Sequence, residues 1–370
     1  MANSGKSDYK LFLSLMILTI FGLIMLASAS TALGQARFDD SLFFIKRQIL
    51  FGALPGFVSL IVLSKVPYTI FKKNAAAIYA IMILFLIAVF IPGIGSTHNT
   101  TAQSWLQIGG FSLQPSELAK LGFIIFFSAY LANHKLDIQQ FKSGFIPALV
   151  VGILPIGLIV AQPDIGTVSI LFSILFGMLF VANTKLSHIS FLAVSGIGAI
   201  ISLILVAPYR AARLTIFLHP ELDPQGIGYQ TSQSLLAIGS GGWLGLGLGR
   251  SRQKFQYLPE VHADSIFAII SEEMGFLVSI VFVGLILYIL HRLITLAKNS
   301  TDDFIMLFAS GLTFWMLSQS FLNIGAMIGI LPLTGVPLPF VSHGGTALFI
   351  ILSAMGIALN MSKYAKSKRA

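Results

Sequence analysis

Residues 11–26 read LFLSLMILTIFGLIML, an apolar run that contains no charged side chain. The apolar character continues to about residue 33, and a helix needs about 20 mostly apolar residues to cross a bilayer. Segments of the same kind recur along the chain, some short or interrupted by proline, which neighbouring helices make tolerable. The sequence therefore predicts ten transmembrane helices, at residues 11–33, 47–66, 74–92, 117–133, 145–161, 167–183, 189–206, 265–290, 304–322 and 346–361.

The composition favours an all-α integral membrane protein, a single polytopic domain over residues 1–370. Of the 370 residues, 56% are hydrophobic and only 10% are charged, too few to wet the surface of a soluble domain. The chain has no cysteine, which excludes disulfides and thiolate metal sites. Its net charge of +9 is attributed to basic membrane loops, so no nucleic-acid partner is predicted.

The first apolar run has an alternative interpretation as a cleaved signal peptide. Lys6 and Lys10 precede it, and Ala27-Ser28-Ala29 resembles a cleavage site. An uncleaved helix is favoured because the run is long for the apolar region of a signal peptide, and because many further spans follow.

The distribution of basic residues predicts the orientation in the membrane. Ten spans place both termini on one side, and the basic C-terminal tail identifies that side as cytoplasmic. The long loop of residues 207–264, between the seventh and eighth spans, then lies outside. The basic residues predicted on the cytoplasmic side are Lys6, Lys10, Lys65, Lys72, Lys73, Lys135, Lys142, Lys185, Arg292, Lys298, Lys363, Lys366, Lys368 and Arg369.

The long outer loop carries cations that this orientation does not explain: Arg210, Arg213, Arg250, Arg252 and Lys254. One interpretation is that long basic side chains bind lipid headgroups. The other is a site for an anionic substrate, because two guanidinium groups three residues apart, as in Arg210 and Arg213, suit a phosphate or pyrophosphate. The glycine-rich segment 239–249 is interpreted as backbone that can approach a ligand closely.

Carboxylates at the ends of the outer segments have two interpretations each. Asp164 and Asp264 precede the sixth and eighth spans, where aspartate is a common N-cap, but either could instead act on a substrate. Glu272 and Glu273 lie two turns deeper in the eighth span and require basic or polar partners from other helices.

Two further polar regions are predicted within the membrane. Glu117 and Lys120, which follow a predicted N-cap at Ser116, form either a local ion pair or part of a site, since intramembrane charges are costly. Residues 331–345 contain too much proline for a regular helix and are predicted to form an irregular segment packed in a cavity. The ninth span has a polar face, expected to point inward: Ser318, Gln319, Ser320 and Asn323.

Together these segments resemble the SEDS family (shape, elongation, division and sporulation). The resemblance covers nearly the whole chain, in the family's order. The matching segments are Gln114–Lys120, Ala161–Thr167, Gly226–Gly249, Leu258–Asp264, Ser271–Gly275 and Gly335–Gly345. Residues 247–255, GLGRSRQKF, are more similar to the cell-division members than to the elongation members.

The resemblance implies a ten-span peptidoglycan glycosyltransferase that polymerises lipid II on the outer face of the cytoplasmic membrane. It matches Asp264 to the family's essential aspartate, and Arg210 and Arg213 to its paired loop arginines. It also matches Glu117 and Lys120 to the pair on its fourth helix. The other predicted substrate-binding residues are Trp105, Gln114, Gln233, Lys254, His262, Ser342 and His343. No cofactor or metal ligand is assigned, and a divalent cation requirement is left open.

The chain departs from the family's pattern at several positions. Family members often carry arginine before the tryptophan, where this chain has Gln103-Ser104-Trp105. They often carry threonine and phenylalanine around the aspartate, where this chain has Ala263 and Ser265, and tyrosine in place of His343. The charged set is unchanged.

The implied reaction needs a base and a partner. Lipid II is α-linked and the glycan β-linked, so a single inverting displacement is expected, with Asp264 as general base and Glu260 as runner-up. His262 and Lys254 are expected to hold Asp264 ionised. A class B penicillin-binding protein is the implied transpeptidase, with divisome proteins at the septum, the nascent glycan strand and membrane lipid as further partners.

Two other functions are carried as alternatives, a lipid II flippase and a non-catalytic divisome scaffold. A flippase needs a polar path through the bilayer, for which Glu272 and Glu273 are the best support. The polar motifs cluster on the outer side, which favours chemistry at the membrane surface.

Overall fold

The computed structural model describes residues 5, 7–93, 95–96, 104–108, 111–135, 137–206, 208–219, 222–223, 226–255 and 257–365. The helices of this part of the chain are α1 (Tyr9–Phe38), α2 (Phe43–Leu63), α3 (Tyr68–Lys73), α4 (Ala75–Ala88), α5 (Pro115–Asn133), α6 (Phe141–Ala161), α7 (Ile165–Val181), α8 (Leu186–Val206), α9 (Pro208–Leu218), α10 (Ile227–Gly241), α11 (Ile266–Asn299), α12 (Asp303–Met327) and α13 (Gly345–Met361). Three short strands, β1 (Gly95–Ser96), β2 (Trp105–Ile108) and β3 (Phe111–Leu113), pair in the antiparallel order β1-β2-β3.

Each predicted span coincides with an apolar helix in the described part of the chain. Six helices, α1, α2, α5, α6, α11 and α12, are long and apolar enough to cross a membrane. Shorter apolar helices, α4, α7, α8 and α13, occupy the other predicted spans. The prediction of a mostly helical, multi-pass membrane protein is confirmed, whereas the small sheet before α5 was not predicted.

The bundle is built around α12, which packs against α5, α7 and α11. Its polar side chains face inward, as predicted: Gln319 is 2% exposed and Asn323 is 2% exposed. Both donate to the irregular segment 331–344, Gln319 Nε2 to the Pro337 carbonyl and Asn323 Nδ2 to the Val336 carbonyl, each at 2.8 Å. Proline-rich backbone that cannot bond to itself is therefore satisfied by a neighbouring helix.

Small residues allow the closest helix contacts. A Cβ added at Gly56 of α2 would lie 2.6 Å from the Leu352 side chain of α13, and one at Gly356 would lie 2.7 Å from the Leu60 carbonyl oxygen. On α1, a Cβ at Gly22 would lie 2.5 Å from the carbonyl oxygen of Phe340. Close backbone approach of this kind is how helices associate where apolar burial gives no advantage.

The predicted outer loop contains two helices, and one of them returns to the bundle. α10 packs along α11, and the segment after it contacts α11 as far as Leu277. Leu277 lies roughly 16 Å along the helix from Ile266, given a rise of about 1.5 Å per residue. Part of residues 207–264 therefore reaches membrane depth.

The returning segment repairs an interruption in α11. Gly275 has φ 76° and ψ 179°, which breaks the helical hydrogen-bond ladder. Backbone groups of the glycine-rich segment replace the missing partners. The bonds are Leu246 N–H to Glu272 O (3.0 Å), Gly247 N–H to Glu273 O (2.9 Å), Phe276 N–H to Gly242 O (2.9 Å) and Leu277 N–H to Trp243 O (3.2 Å).

Gly245 of this segment and Gly275 of α11 serve close contact between the two backbones, a role that the sequence analysis did not predict. A Cβ at Gly245 would lie 2.2 Å from the Glu273 carbonyl oxygen, and one at Gly275 would lie 2.3 Å from the Gly245 nitrogen. Any side chain at either position would force the two backbones apart. The glycine-rich sequence correctly indicated close approach but not the element approached.

Candidate active site

Asp264 lies in a turn that ends where α11 begins. The Glu260 carbonyl accepts from the Ala263 N–H at 2.9 Å and from the Ser265 N–H at 3.2 Å, which closes the turn. Ser342 Oγ donates to the Ala263 carbonyl at 2.5 Å, and Asn323 Nδ2 donates to the Asp264 carbonyl at 2.8 Å. The backbone of the turn is thus held by side chains from two other elements.

The two aspartates that could act as N-caps behave differently. Asp164 caps α7, because its Oδ1 accepts from the Thr167 N–H at 3.0 Å and its Oδ2 from the Thr167 hydroxyl at 2.8 Å. The N-cap of α11 is Ser265, and no side-chain bond caps that helix. Asp164 therefore has a structural role, whereas Asp264 has none as a cap.

The Asp264 carboxylate is partly buried beside α10. Gln230 Nε2 lies 3.0 Å from Ser265 Oγ and 3.4 Å from each Asp264 carboxylate oxygen. Burial, together with the negative charge of Glu260, raises the pKa of Asp264 to about 6, although hydrogen bonds from its own backbone N–H and from Gln230 and the charge of Arg213 act to lower it. The carboxylate is thus less acidic than an ordinary aspartate, yet it is still ionised at neutral pH.

The neighbours expected to keep Asp264 ionised do not do so, which corrects the sequence analysis. Burial, with smaller contributions from His343 and Arg37, lowers the pKa of His262 to about 3, so His262 is neutral at neutral pH. Lys254 is committed to another carboxylate, described below. Arg213, on α9 and exposed, is the cation whose charge favours ionised Asp264.

An aromatic cluster lies beneath the turn. The His262 ring lies 4.3 Å from the Phe44 ring and 5.6 Å from the His343 ring, measured between centroids. The backbone N–H of His343 donates to the backbone carbonyl of His262 at 2.8 Å. Burial lowers the pKa of His343 to about 4, with a smaller contribution from Arg47, so both imidazoles are neutral and could offer a sugar hydrogen bonds without charge.

Lys254 is buried away from the outer surface. Its Nζ is 2.9 Å from Glu273 Oε1 and donates to the Gly249 carbonyl at 2.8 Å, and the side chain is 3% exposed. Ser28 of α1 donates to both Glu273 oxygens, at 2.9 and 2.6 Å. Lys254 was predicted to bind substrate, but this geometry favours a role in positioning the loop.

Glu272 holds the other end of the same loop. Its Oε1 accepts from the Arg252 N–H at 2.9 Å and from the Gln253 N–H at 3.4 Å, and its Oε2 accepts from the Ser251 hydroxyl. The requirement of the carboxylate pair for basic or polar partners is thus met, largely by residues 251–254. The loop that leads to Asp264 is anchored to α11 by both carboxylates.

Glu117 and Lys120 form an enclosed ion pair, in which Lys120 Nζ lies 2.7 Å from Glu117 Oε1 and the side chains are 1% and 3% exposed for Lys120 and Glu117. Lys120 also donates to Gln319 Oε1 at 3.0 Å, above the Trp315 ring at 5.1 Å. Glu117 Oε2 has no hydrogen-bond partner, and a cavity of about 10 Å³ adjoins it, which is room for about one water. The pair lies beneath segment 331–344. Contact of the pair with substrate stays a prediction.

The remaining predicted site residues are spread over the outer side. Trp105 lies on β2, Ser342 bonds the Asp264 turn, and Gln233 lies one turn after Gln230 on α10. Gln114 is the N-cap residue of α5, which begins at Pro115, so the predicted N-cap at Ser116 is wrong. The backbone of Arg210 belongs to α9, and its side chain lies outside the described residues. Among those described, no group of three or more His, Asp or Glu side chains is arranged to hold a metal ion.

Comparison with known proteins settles the family. The family model for FtsW, RodA and SpoVE, described as cell cycle protein, matches residues 9–367. The chain belongs to the FtsW/RodA/SpoVE family. This confirms the SEDS resemblance drawn from the motifs.

Two curated members of the FtsW/RodA/SpoVE family show how near the likeness is. Stage V sporulation protein E of Bacillus subtilis is 40% identical over 354 residues, which are 96% of each chain. A probable peptidoglycan glycosyltransferase FtsW of Geobacter sp. strain M18 is 38% identical over 96% of each chain.

Solved structures of the FtsW/RodA/SpoVE family share the fold. A chain from a peptidoglycan synthase complex aligns with TM-score 0.80 at 24% identity, covering 96% of this chain and 97% of that one. RodA of Thermus thermophilus aligns with TM-score 0.71 at 24% identity, covering 96% of each chain. These likenesses show a common membrane fold.

Several site residues of this FtsW/RodA/SpoVE family member escaped the sequence analysis. Gln230 contacts the Asp264 carboxylate, although Gln233 was chosen from the same helix face. Gln48 of α2 binds the Ser342 carbonyl at 3.2 Å and accepts from the Gly344 N–H at 2.9 Å. The available signal was a single amide side chain within an otherwise apolar span, which is costly unless it has a partner.

Proposed function

We propose that the chain is a peptidoglycan glycosyltransferase that polymerises lipid II into β-1,4-linked glycan strands at the outer face of the cytoplasmic membrane during cell division. Two relatives named probable peptidoglycan glycosyltransferase FtsW are 38% identical to it over 96% of its length. The observation that carries the proposal is the Asp264 carboxylate, which caps no helix and has its pKa raised to about 6.

Asp264 acts as the general base. The acceptor 4-hydroxyl loses its proton to the carboxylate as its oxygen attacks the anomeric carbon of the donor, and undecaprenyl pyrophosphate leaves from the opposite face. A base works best when its pKa lies near the operating pH, because it is then ionised yet still holds a proton well. Glu260, whose side chain is 52% exposed, remains the runner-up for this role.

Arg213 binds the donor's diphosphate. Its guanidinium is exposed on α9 and lies close enough to Asp264 to lower the pKa of that carboxyl. A diphosphate held there is beside the base, and its developing charge is stabilised as the bond breaks. Arg210 lies three residues earlier in the backbone of the same helix, and we propose that it shares this role.

The flippase alternative is not favoured. Its main support was the intramembrane pair Glu272 and Glu273, whose carboxylates are occupied by Lys254, Ser28, Ser251 and backbone N–H groups. A carboxylate pair engaged in this way has no free oxygen to bind a headgroup that crosses the bilayer. A scaffold function, in turn, does not explain a partly buried aspartate that caps no helix.

The proposal includes partners and location. Because the chain's fold is that of a chain from a peptidoglycan synthase complex, we propose a class B penicillin-binding protein as the cross-linking partner, with divisome proteins around the pair at the septum. Both termini face the cytoplasm, and the loop of residues 207–264 enters and leaves the bundle on the outer side. A divalent cation that assists the diphosphate is compatible with this arrangement.

Reconstitution tests the proposal directly. The chain, purified with its penicillin-binding protein and supplied with fluorescent lipid II, should form long glycan strands. Penicillin should prevent cross-linking of those strands without reducing their amount or length. Asp264→Asn should abolish strands while the complex stays intact. Active Asp264→Asn, or cross-linking by the chain without its partner, contradicts the assigned roles.

A further inference from the structure

A cleft of about 230 Å³ lies at the end of the molecule opposite Asp264. It is formed where α1 begins and where α2 and α13 end, which the proposed topology places at the cytoplasmic surface. Most of its wall is apolar. The residues that line it are Ser7, Tyr9, Phe12, Leu60, Ile61, Ser64 and Leu359.

One lysine is fixed at the rim of this cleft. Lys363 Nζ donates to the carbonyl oxygen of Ser64, a lining residue, at 2.6 Å. An ammonium group has three N–H donors, so two remain for another acceptor. The position of this charge is set by the end of α2 and does not depend on a flexible side chain alone.

Two more lysines are next in sequence to residues that line the cleft. Lys10 follows the lining residue Tyr9, Lys65 follows the lining residue Ser64, and both are exposed. Within the described ranges, none of the three lysines lies within ion-pair distance of a carboxylate. Their charges are therefore uncompensated.

The nearby carboxylate does not neutralise these charges. Asp8 is paired with Arg292, whose NH2 group lies 2.7 Å from Oδ2, and its Oδ1 accepts from the Leu11 N–H at 3.1 Å. Lys72 on this side is paired with Asp302 at 3.3 Å, whereas exposed lysines such as Lys298 have no ion pair among the described residues. What distinguishes the cleft is that an ammonium group held by a hydrogen bond adjoins an apolar wall.

We propose that the cleft binds one anionic phospholipid of the cytoplasmic leaflet. An acyl chain lies on the apolar wall, and the phosphate contacts Lys363 with Lys10 and Lys65. An apolar cleft by itself suits any lipid and a cation cluster by itself suits free phosphate, whereas their combination selects an anionic amphiphile. The leaflet, but not the binding, rests on the proposed topology.

The bound lipid would join three elements that also build the outer site. α1 supplies Ser28 to Glu273, α2 supplies Gln48 to segment 331–344, and α13 follows that segment directly. Occupancy of the cleft should therefore raise the thermal stability of the whole chain, because a ligand that binds only the folded state stabilises it.

Native mass spectrometry of the purified full chain tests this proposal, with phosphatidylglycerol and phosphatidylcholine of equal acyl length as probes. We expect one phosphatidylglycerol per chain. Lys363→Gln should bind it about fivefold more weakly, which is the ratio for about 1 kcal/mol per basic residue near an anionic surface. Ile61→Trp should also bind it weakly. Ile61 is 49% exposed, so tryptophan fills the cleft without entering the core. Lys298→Gln, at an exposed lysine on the same side, is the matched control and should bind like the wild type.

Equal binding of phosphatidylcholine would overturn the proposal, as would equal losses in Lys363→Gln and Lys298→Gln. Binding of inorganic phosphate at millimolar concentration to the lipid-free chain would instead identify a free-phosphate site and would also overturn the proposal. Polymerisation of lipid II is measured on the same samples. Intact polymerisation with lost lipid binding in Lys363→Gln, and the reverse in Asp264→Asn, would show that the two proposals stand or fall separately.

Discussion

At the residue scale, two aspartates that look alike in sequence have different work. Both precede a helix, and both were candidates for an N-cap. Asp164 accepts two hydrogen bonds from Thr167, whereas Asp264 accepts none from the first turn of α11. The difference yields a matched pair of substitutions.

Asp264→Ala should abolish glycan polymerisation and leave thermal stability unchanged or higher. Loss of a general base typically costs about 10²–10⁴-fold in rate, and no cap is lost. Asp164→Ala should do the opposite, losing about 1 kcal/mol of stability with the cap while the folded fraction stays active. Polymerisation and thermal unfolding are measured on both; the same pattern in both would mean that Asp264 is a structural residue.

Polymerisation should also depend on pH in a way that neighbouring charges can shift. With a pKa of about 6 for Asp264, activity should fall as the pH is lowered through about 6. Glu260→Gln removes a charge that raises this pKa, so the acid limb should move to lower pH. Arg213→Gln removes a charge that lowers it, so the limb should move to higher pH. A limb that stays in place in both variants would show that another group titrates.

The ionisation of Asp264 that favours activity should lower the thermal stability of the chain. The pKa of Asp264 is raised from 3.8 to about 6 in the folded chain, so the folded state holds the proton more tightly than the unfolded state does. Stability contributed by the protonated form is complete below about pH 4 and is lost as the pH rises through about 6. Wild type should therefore lose thermal stability relative to Asp264→Asn over that range.

At the element scale, the loop that carries Asp264 is attached to α11 by backbone and by charge. The glycine-rich segment completes the hydrogen bonds that Gly275 interrupts, and Glu272 and Glu273 hold residues 251–254. The position of Asp264 thus depends on contacts at least two helical turns deeper. Two predictions concern this attachment.

Glu273→Gln leaves Lys254 buried without a counter-charge and should destabilise the chain by about 3–5 kcal/mol. Lys254→Met added to Glu273→Gln removes the stranded charge and keeps an acceptor for Ser28, so it should restore most of the thermal stability. If Lys254 only positions the loop, polymerisation should return as well. A double variant that is stable but inactive would instead support direct contact between Lys254 and substrate.

Gly245→Ala should lower both thermal stability and polymerisation. Gly245 has φ +80°, which costs another residue about 1–2 kcal/mol, and its added Cβ would lie 2.2 Å from the Glu273 carbonyl. Gly239→Ala is the matched control, since nothing lies within 4 Å of its Cβ in helix α10. That change should raise stability by about 0.5–1 kcal/mol. Equal effects of the two substitutions would contradict the close contact between the glycine-rich segment and α11.

At the scale of the whole molecule, orientation can be tested because the native chain contains no cysteine. Lys135→Cys should be labelled by a membrane-impermeant maleimide only after the cells are permeabilised, since this residue is predicted on the cytoplasmic side. Leu222→Cys, 65% exposed and within the long outer loop, should be labelled in intact cells. Labelling of position 135 from outside would contradict the ten-span topology.

Local sequence was enough to predict the membrane class, the apolar helical segments and the family. These follow from local properties: the length of apolar runs, the placement of lysines and arginines, and motifs in a fixed order. It also indicated that segment 331–345 is irregular, because proline at such density cannot form a regular helix. No knowledge of packing was needed for any of these.

The role of each polar residue, by contrast, depended on the folded arrangement. Asp164 and Asp264 carry the same local signal, and their roles separate only when the distances to Thr167, Gln230 and Arg213 are known. Likewise, the partner of Lys254 lies 19 residues away on α11 and is joined by Ser28 from α1. A side chain's pKa and its hydrogen bonds depend on neighbours brought together by folding, so no pattern along one segment could have assigned them.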